Sequence, residues 1–152
     1  MMNDIIFREL RPEETGTLIS MRIGQLREEG AEETCDLRPR LRSYYEKHMA
    51  DDSFCCIVAE CAEEIVATGA LSVIERPPHY GNPDGKAAIL SSMYTLPDYR
   101  RLGIARRILG ELAEEARRRG CGEVQITASP TGALLYADFG FRRNGNYMAY
   151  KL

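Results

Sequence analysis

At 152 residues, with 44% hydrophobic and 28% charged side chains, the chain is long enough to bury one proper core and reads as a single domain over 1–152. A net charge of −3 argues against a broad basic surface for nucleic acid, and no run approaches the ~20 apolar residues of a membrane span. Met1-Met2-Asn3-Asp4 shows no basic and then apolar leader, so a cytoplasmic location is expected. The five cysteines, at 35, 55, 56, 61 and 121, lack the paired spacing of zinc ligands or a disulfide framework; they read as reduced thiols, and no metal is expected.

In chain order, residues 5–10 form an apolar first strand, stopped at Pro12, where Glu13 and Glu14 open a helix that runs to Gly30. Leu18, Ile19, Met21, Ile23 and Leu26 recur along it at helical spacing. A polar stretch over 31–39 precedes a second short helix, expected over 40–49. Residues 53–60 and 65–74 are dense in Val, Ile, Phe, Cys and Ala, and polar 61–64 between them predicts an antiparallel hairpin. Residues 75–86 carry Pro77, Pro78, Gly81, Pro83 and Gly85, cannot continue a ladder, and must be a loop.

The next strand, 87–96, is closed by Pro97 and feeds into Arg100-Arg101-Leu102-Gly103-Ile104-Ala105-Arg106. Ile104, Ile108, Leu109, Leu112, Ala113 and Ala116 then share one helical face, and the helix stops at Arg119-Gly120. A short strand over 124–128, a helix over 131–138 and strand-like Tyr147-Met148-Ala149-Tyr150 complete the chain. This order predicts a mixed sheet with helices on both faces.

The arginine-glycine segment is the most informative stretch. Gly103 lets the backbone turn and approach a ligand closely, and the free N–H groups of the following helical turn point at whatever sits there. An anion is favoured at that end by roughly 0.3–1 kcal/mol from the helix dipole, and Arg100, Arg101, Arg106 and Arg107 add charge. A phosphate is the obvious guest.

Arg100-Arg101-Leu102-Gly103-Ile104-Ala105 matches the Q/R-x-x-G-x-G/A signature of the GNAT superfamily of acetyl-CoA-dependent N-acetyltransferases. A second block, residues 128–141, with Leu135-Tyr136 and Gly140-Phe141, resembles that family's closing motif. The resemblance implies an α/β (α+β) fold with a mostly antiparallel, twisted sheet of about six to seven strands. It implies transfer of acetyl from acetyl-CoA to a primary amine of a small molecule or peptide, and a second copy of the chain as a partner. Position by position, Met93, Tyr94 and Thr95 correspond to the strand end that pairs with pantetheine. Arg100, Arg101, Leu102, Gly103, Ile104, Ala105 and Arg106 correspond to the pyrophosphate loop. Tyr136 corresponds to the tyrosine that protonates the leaving thiolate. Ser129 stands where the family often has an asparagine that holds the CoA arm.

The family's usual strand glutamate has no counterpart: 87–96 contains no carboxylate and the aligned position on the next strand is Val124. The loop residues His79 and Glu75 are then the candidate bases, with deprotonation by solvent as a competitor. Glu28, Glu29, Glu32 and Glu33 suit a cationic acceptor, whereas Arg76 suits an acceptor carboxylate; the sequence does not choose. A CoA-binding regulatory domain without turnover is the alternative function.

Overall fold

The computed structural model describes residues 4–152. One sheet of five strands, in the order β1-β2-β3-β4-β5, forms its centre. The strands are β1 (Ile5–Glu9), β2 (Phe54–Cys61), β3 (Glu64–Glu75), β4 (Lys86–Thr95) and β5 (Glu123–Gln125). All neighbours are antiparallel except β4 and β5, which run parallel. The parallel pair follows from the crossover through α3 (Ile104–Arg118), since parallel strands need a long connection.

Helices cover both faces, which is why β2 reads as an unbroken apolar run: Phe54 through Ala59 are all buried. On one face α1 (Thr15–Glu28) and α2 (Arg38–Ala50) bring Leu18, Ile19, Ile23 and Tyr45 onto Phe54, Cys56, Val58 and Ala70. On the other, Ile104, Ile108, Leu109, Leu112 and Ala116 of α3 pack on Cys55, Ile57, Ala67, Leu71, Ala88 and Leu90, joined by Tyr136 of α4 (Ala133–Phe139). Burial pushes the Cys55 thiol up to about 12 and the Cys56 thiol higher still, so both behave as small apolar side chains.

The expected elements 5–10 to 131–138 are all present, with shifted ends. A 3-10 turn, Pro12–Glu14, precedes α1, and α2 starts two residues earlier than its apolar pattern because Pro39 suits a first helical turn. Two expectations are corrected. The strand over 124–128 is only Glu123–Gln125, and no strand forms over 147–150, so the described sheet has five strands rather than six to seven. The reason is pairing: Tyr147, Met148, Tyr150 and Leu152 are 85–115% exposed, and a strand pattern with no sheet edge beside it has nothing to hold it.

Candidate active site

β4 changes partners along its length, and this opens the site. Its parallel pairing with β5 covers only Ala87–Ile89 against Glu123–Gln125; from 90 onward no described strand pairs with that side of β4. On the β3 side the register slips between Thr68 and Ala70, and Ser92 takes a left-handed φ of 55° in the resulting bulge. Two side chains pin the bulge. Thr68 Oγ1 donates to the Ser92 carbonyl at 2.7 Å, and Gln25 Nε2, from α1, donates to the Met93 carbonyl at 3.2 Å. Both donors are buried. The Gln25 carboxamide is itself oriented by Arg22, whose Nη1 donates to Gln25 Oε1 at 2.9 Å.

Past Thr95, a 3-10 turn at Pro97–Tyr99 leads into the loop that starts α3. Arg101 has φ 62° and Gly103 φ 82°, so two left-handed residues flank Leu102 in the turn that opens α3. A Cβ on Gly103 would meet nothing within 4 Å; its glycine is required by φ and not by crowding. Thr95, Tyr99, Arg100, Arg101, Gly103, Ile104, Ala105 and Arg106, with Leu135 from α4, enclose a cleft of about 220 Å³ at this helix start.

The arginines divide by employment. Arg100 donates through Nε to the Thr95 carbonyl at 2.8 Å and through both terminal nitrogens to Glu28 at 2.8 Å, with its guanidinium over the Tyr94 ring. It clasps the end of α1 to the strand end, and the pair holds the Glu28 carboxyl below its usual range. Arg106 pairs with Asp138 of α4 at 2.7 Å, and Arg107 stacks on Phe7 and bonds Glu111. Arg101 is exposed and has no such partner among the described residues. It is the arginine whose charge is uncommitted at the cleft.

Tyr136 lies 7% exposed against Phe141, ring to ring at 5.7 Å, and its hydroxyl makes no hydrogen bond among the described residues. Burial first, and then the negative charge of Glu29, push the phenol up to about 12. Ser129 spends its hydroxyl locally, accepting from the Gly132 N–H at 3.2 Å and lying 3.2 Å from Thr131 Oγ1, where it caps the turn into α4.

His79 and Glu75 are not brought to this place. Glu75 pairs with Lys86 at the opposite end of the β3–β4 hairpin, seven residues from Met93 along β4, or roughly 23 Å at strand rise. His79 closes its own tight turn there: it bridges to Asn82, and its Nδ1 accepts the Gly81 N–H at 3.2 Å. Thr68 and Gln25, which hold the Ser92 and Met93 carbonyls, are the residues of this strand end that the sequence reading did not single out. Gln25 had a signal, a polar side chain placed where the Leu18–Met21 stripe of α1 calls for an apolar one. A larger cleft, about 590 Å³, is lined by residues of α1 together with Glu14, Glu63, Glu64 and Tyr94.

The fold is thus a mixed sheet whose open strand edge runs into the glycine turn that starts α3. A model of the Acetyltransferase (GNAT) family matches residues 18–141, and the chain belongs to that family of acetyltransferases. Among solved structures, a predicted acetyltransferase with acetyl-CoA from Clostridium acetobutylicum is 30% identical, with a TM-score of 0.94 over 97% of this chain and 96% of that one. A GCN5-related N-acetyltransferase from Ralstonia eutropha JMP134 is 24% identical, with a TM-score of 0.90 over 97% and 98%. Glucosamine-6-phosphate N-acetyltransferase from Arabidopsis thaliana shares the fold at 17% identity, with a TM-score of 0.75 over 97% of both chains. No curated protein matches the chain.

Proposed function

We propose that the protein is an N-acetyltransferase that moves the acetyl group of acetyl-CoA onto a primary amine of a small molecule or peptide by direct attack in a ternary complex. The observation that carries this reading is continuity: the open edge of β4 through Met93, Tyr94 and Thr95 runs into the helix start at Gly103. An extended pantetheine arm suits the first by strand-like pairing, and a pyrophosphate suits the second. The Clostridium acetobutylicum neighbour, solved with acetyl-CoA, supports the same co-substrate.

In the proposed reaction the amine nitrogen attacks the thioester carbonyl carbon, and an N–C bond forms as the carbonyl oxygen takes up negative charge. A main-chain N–H at the bulged strand end stabilises that charge, and the fixed bulge means little reorganisation is needed when it develops. The C–S bond then breaks and the thiolate takes the Tyr136 phenol proton. The neutral amine becomes positively charged as the N–C bond forms, and the proton it then sheds restores the phenol, so the cycle closes without a covalent enzyme intermediate. Five free cysteines accord with a cytoplasmic setting, and no helix among the described residues is long and apolar enough to cross a membrane.

Calorimetric titration of acetyl-CoA into the protein and its Gly103→Asp variant tests the site. The variant sets a carboxylate at the anion position and strains a left-handed φ, so affinity should drop about 10-fold or more. Unchanged affinity removes the pyrophosphate from this loop. Thiol release that depends on an added amine separates a transferase from a CoA-binding domain without turnover.

A further inference from the structure

An arginine that loses part of its water needs a counter-charge, and three arginines among the described residues are partly buried. Arg8 is paired with Glu14 and Glu60, and Arg119 with Glu115 and Asp52. Arg22 of α1 is the third, and no carboxylate pairs with it among the described residues. Its side-chain hydrogen bond runs from Nη1 to the neutral Gln25 Oε1 at 2.9 Å, which leaves the Nε and Nη2 edge of the fork without a partner among the described residues. Glu29 touches the far end of the same carboxamide, 3.4 Å from Gln25 Nε2, and does not reach the guanidinium. A half-buried, unpaired guanidinium attracts an anion more strongly than one in water.

A second observation falls beside it. Ser92 is 2% exposed, and its Oγ is the one buried side-chain polar atom among the described residues with no hydrogen-bond partner. Met93 packs its side chain on the α3 side of the sheet, and Ser92 goes to the other side, to Tyr45 of α2. Burial raises the Tyr45 phenol, while Ser92 and then Arg22 act to lower it, which sets both beside its hydroxyl. A buried hydroxyl left unpaired is costly and marks a place where a further polar atom completes the bonding.

We infer that Arg22, with the Ser92 and Tyr45 hydroxyls, receives a carboxylate carried by the acceptor, so that the acceptor is an amine of the α-amino acid type. The inference rests on the acetyl-transfer reading and adds a specificity-determining residue to it. Charge selects the carboxylate: one guanidinium and two neutral hydroxyls balance a single negative charge, and the two oxygens of a carboxylate match the free edge of the fork. A phosphate dianion would leave excess charge in a half-buried place. Position selects the α-amine. Only the Gln25 carboxamide stands between Arg22 and the Met93 carbonyl, so a carboxylate on Arg22 leaves an amine one carbon away beside the bulged strand end. Arg76, the cation that the sequence offered for an acceptor carboxylate, bonds Gln125 at 3.3 Å and follows Glu75 at the far end of the β3–β4 hairpin.

The experiment measures thiol release from acetyl-CoA with alanine, leucine and phenylalanine, with the amide of each, and with phosphoethanolamine. Arg22→Gln should lower the acid-to-amide ratio of kcat/KM about 10- to 100-fold, the scale of a lost charge-assisted hydrogen bond, and Arg22→Lys should recover part of it. The ratio separates specificity from structure, because damage to the strand end through Gln25 lowers both members of a pair together and cancels. N-acetylleucine titrated into the CoA-bound protein gives a readout independent of turnover, and its affinity should fall by a similar factor in Arg22→Gln. An unchanged ratio, or unchanged N-acetylleucine affinity, overturns the inference. A parent protein that acetylates the amides or phosphoethanolamine but none of the acids overturns it too, and leaves the acetyl-transfer reading standing. A parent that binds no acetyl-CoA removes that reading first, before any variant is made.

Discussion

Tyr136 is protected from ionisation by its burial beside Phe141 and by the Glu29 charge, and the raised value of about 12 keeps its proton in place across any working pH. A raised acid is a weaker acid, so its strength as a donor comes from position and not from acidity. Tyr136→Phe should leave acetyl-CoA binding intact and lower the turnover number about 100-fold, measured as thiol release over a range of pH. The parent should show no loss of rate from phenol ionisation until strongly alkaline pH. Turnover unchanged in the variant takes the acid role away. The left-handed turn at Gly103 was legible in the sequence because that conformation favours glycine, whereas Tyr136 was marked only by the family resemblance. Thr68 was not legible, because its partner is a main-chain carbonyl 24 positions away, and Gln25 showed only as a polar break in the α1 stripe, with its partner carbonyl 68 positions away named by no local pattern. His79 and Glu75 had suitable chemistry, but distance along β4 separates them from Met93.

At the scale of elements, Gly69 sets how closely α3 approaches the sheet. A Cβ there would lie 2.5 Å from Ile108 Cγ2, 2.6 Å from Met93 Sδ and 3.0 Å from Leu112 Cδ1. Met93 can bend away, but β-branched Ile108 is stiff, so α3 or the bulge must shift. Gly69→Ala should cost about 1–3 kcal/mol, a fall of roughly 2–12 °C in melting temperature, and should weaken acetyl-CoA binding as well because Met93 belongs to the strand end. A second joint ties β1 to the 3-10 turn before α1: Arg8 donates to both carboxylate oxygens of Glu14 at 2.9 and 2.8 Å and to Glu60 at 2.7 Å. The Arg8 hydrogen bonds hold the folded Glu14 carboxyl below its ordinary value. A carboxyl lowered on folding adds stability that is complete above its unfolded value, about 4.3, and is lost as pH falls through the folded one. Denaturant melts should therefore show the protein more stable than Glu14→Gln near pH 6, with the gap closing by pH 3; a gap independent of pH would assign the difference to packing. The α3 helix and the β2–β3 hairpin were readable from periodicity, whereas the bulge at Ser92 was not, since it depends on the slip against Thr68 and Ala70 across the strand pair.

For the molecule as a whole, the unpaired outer edge of β5 and the exposed segment 147–152 belong together in our reading. Tyr147, Met148, Tyr150 and Leu152 are exposed large apolar side chains that no strand of the described sheet covers. We propose that two copies pair through this segment. Light scattering after size exclusion should give twice the chain mass, and removal of 147–152 should give the single mass; a monomer at all concentrations refutes it. The overall layering was visible in the order of elements, but the count of strands was not, because a strand pattern states a capacity to pair and says nothing of where the partner lies.

The open side of β4 has a bearing on protein quality as well. Bare strand edges invite strands from other molecules and seed aggregation. Here the edge past Ile89 is kinked at Ser92 and ends at Pro97, which has no N–H to offer. An intruding polypeptide needs a regular ladder and loses its register at the kink, whereas a thin flexible arm that bonds at one or two points does not. Selection against unwanted neighbours is thus written into the same backbone irregularity that shapes the cleft.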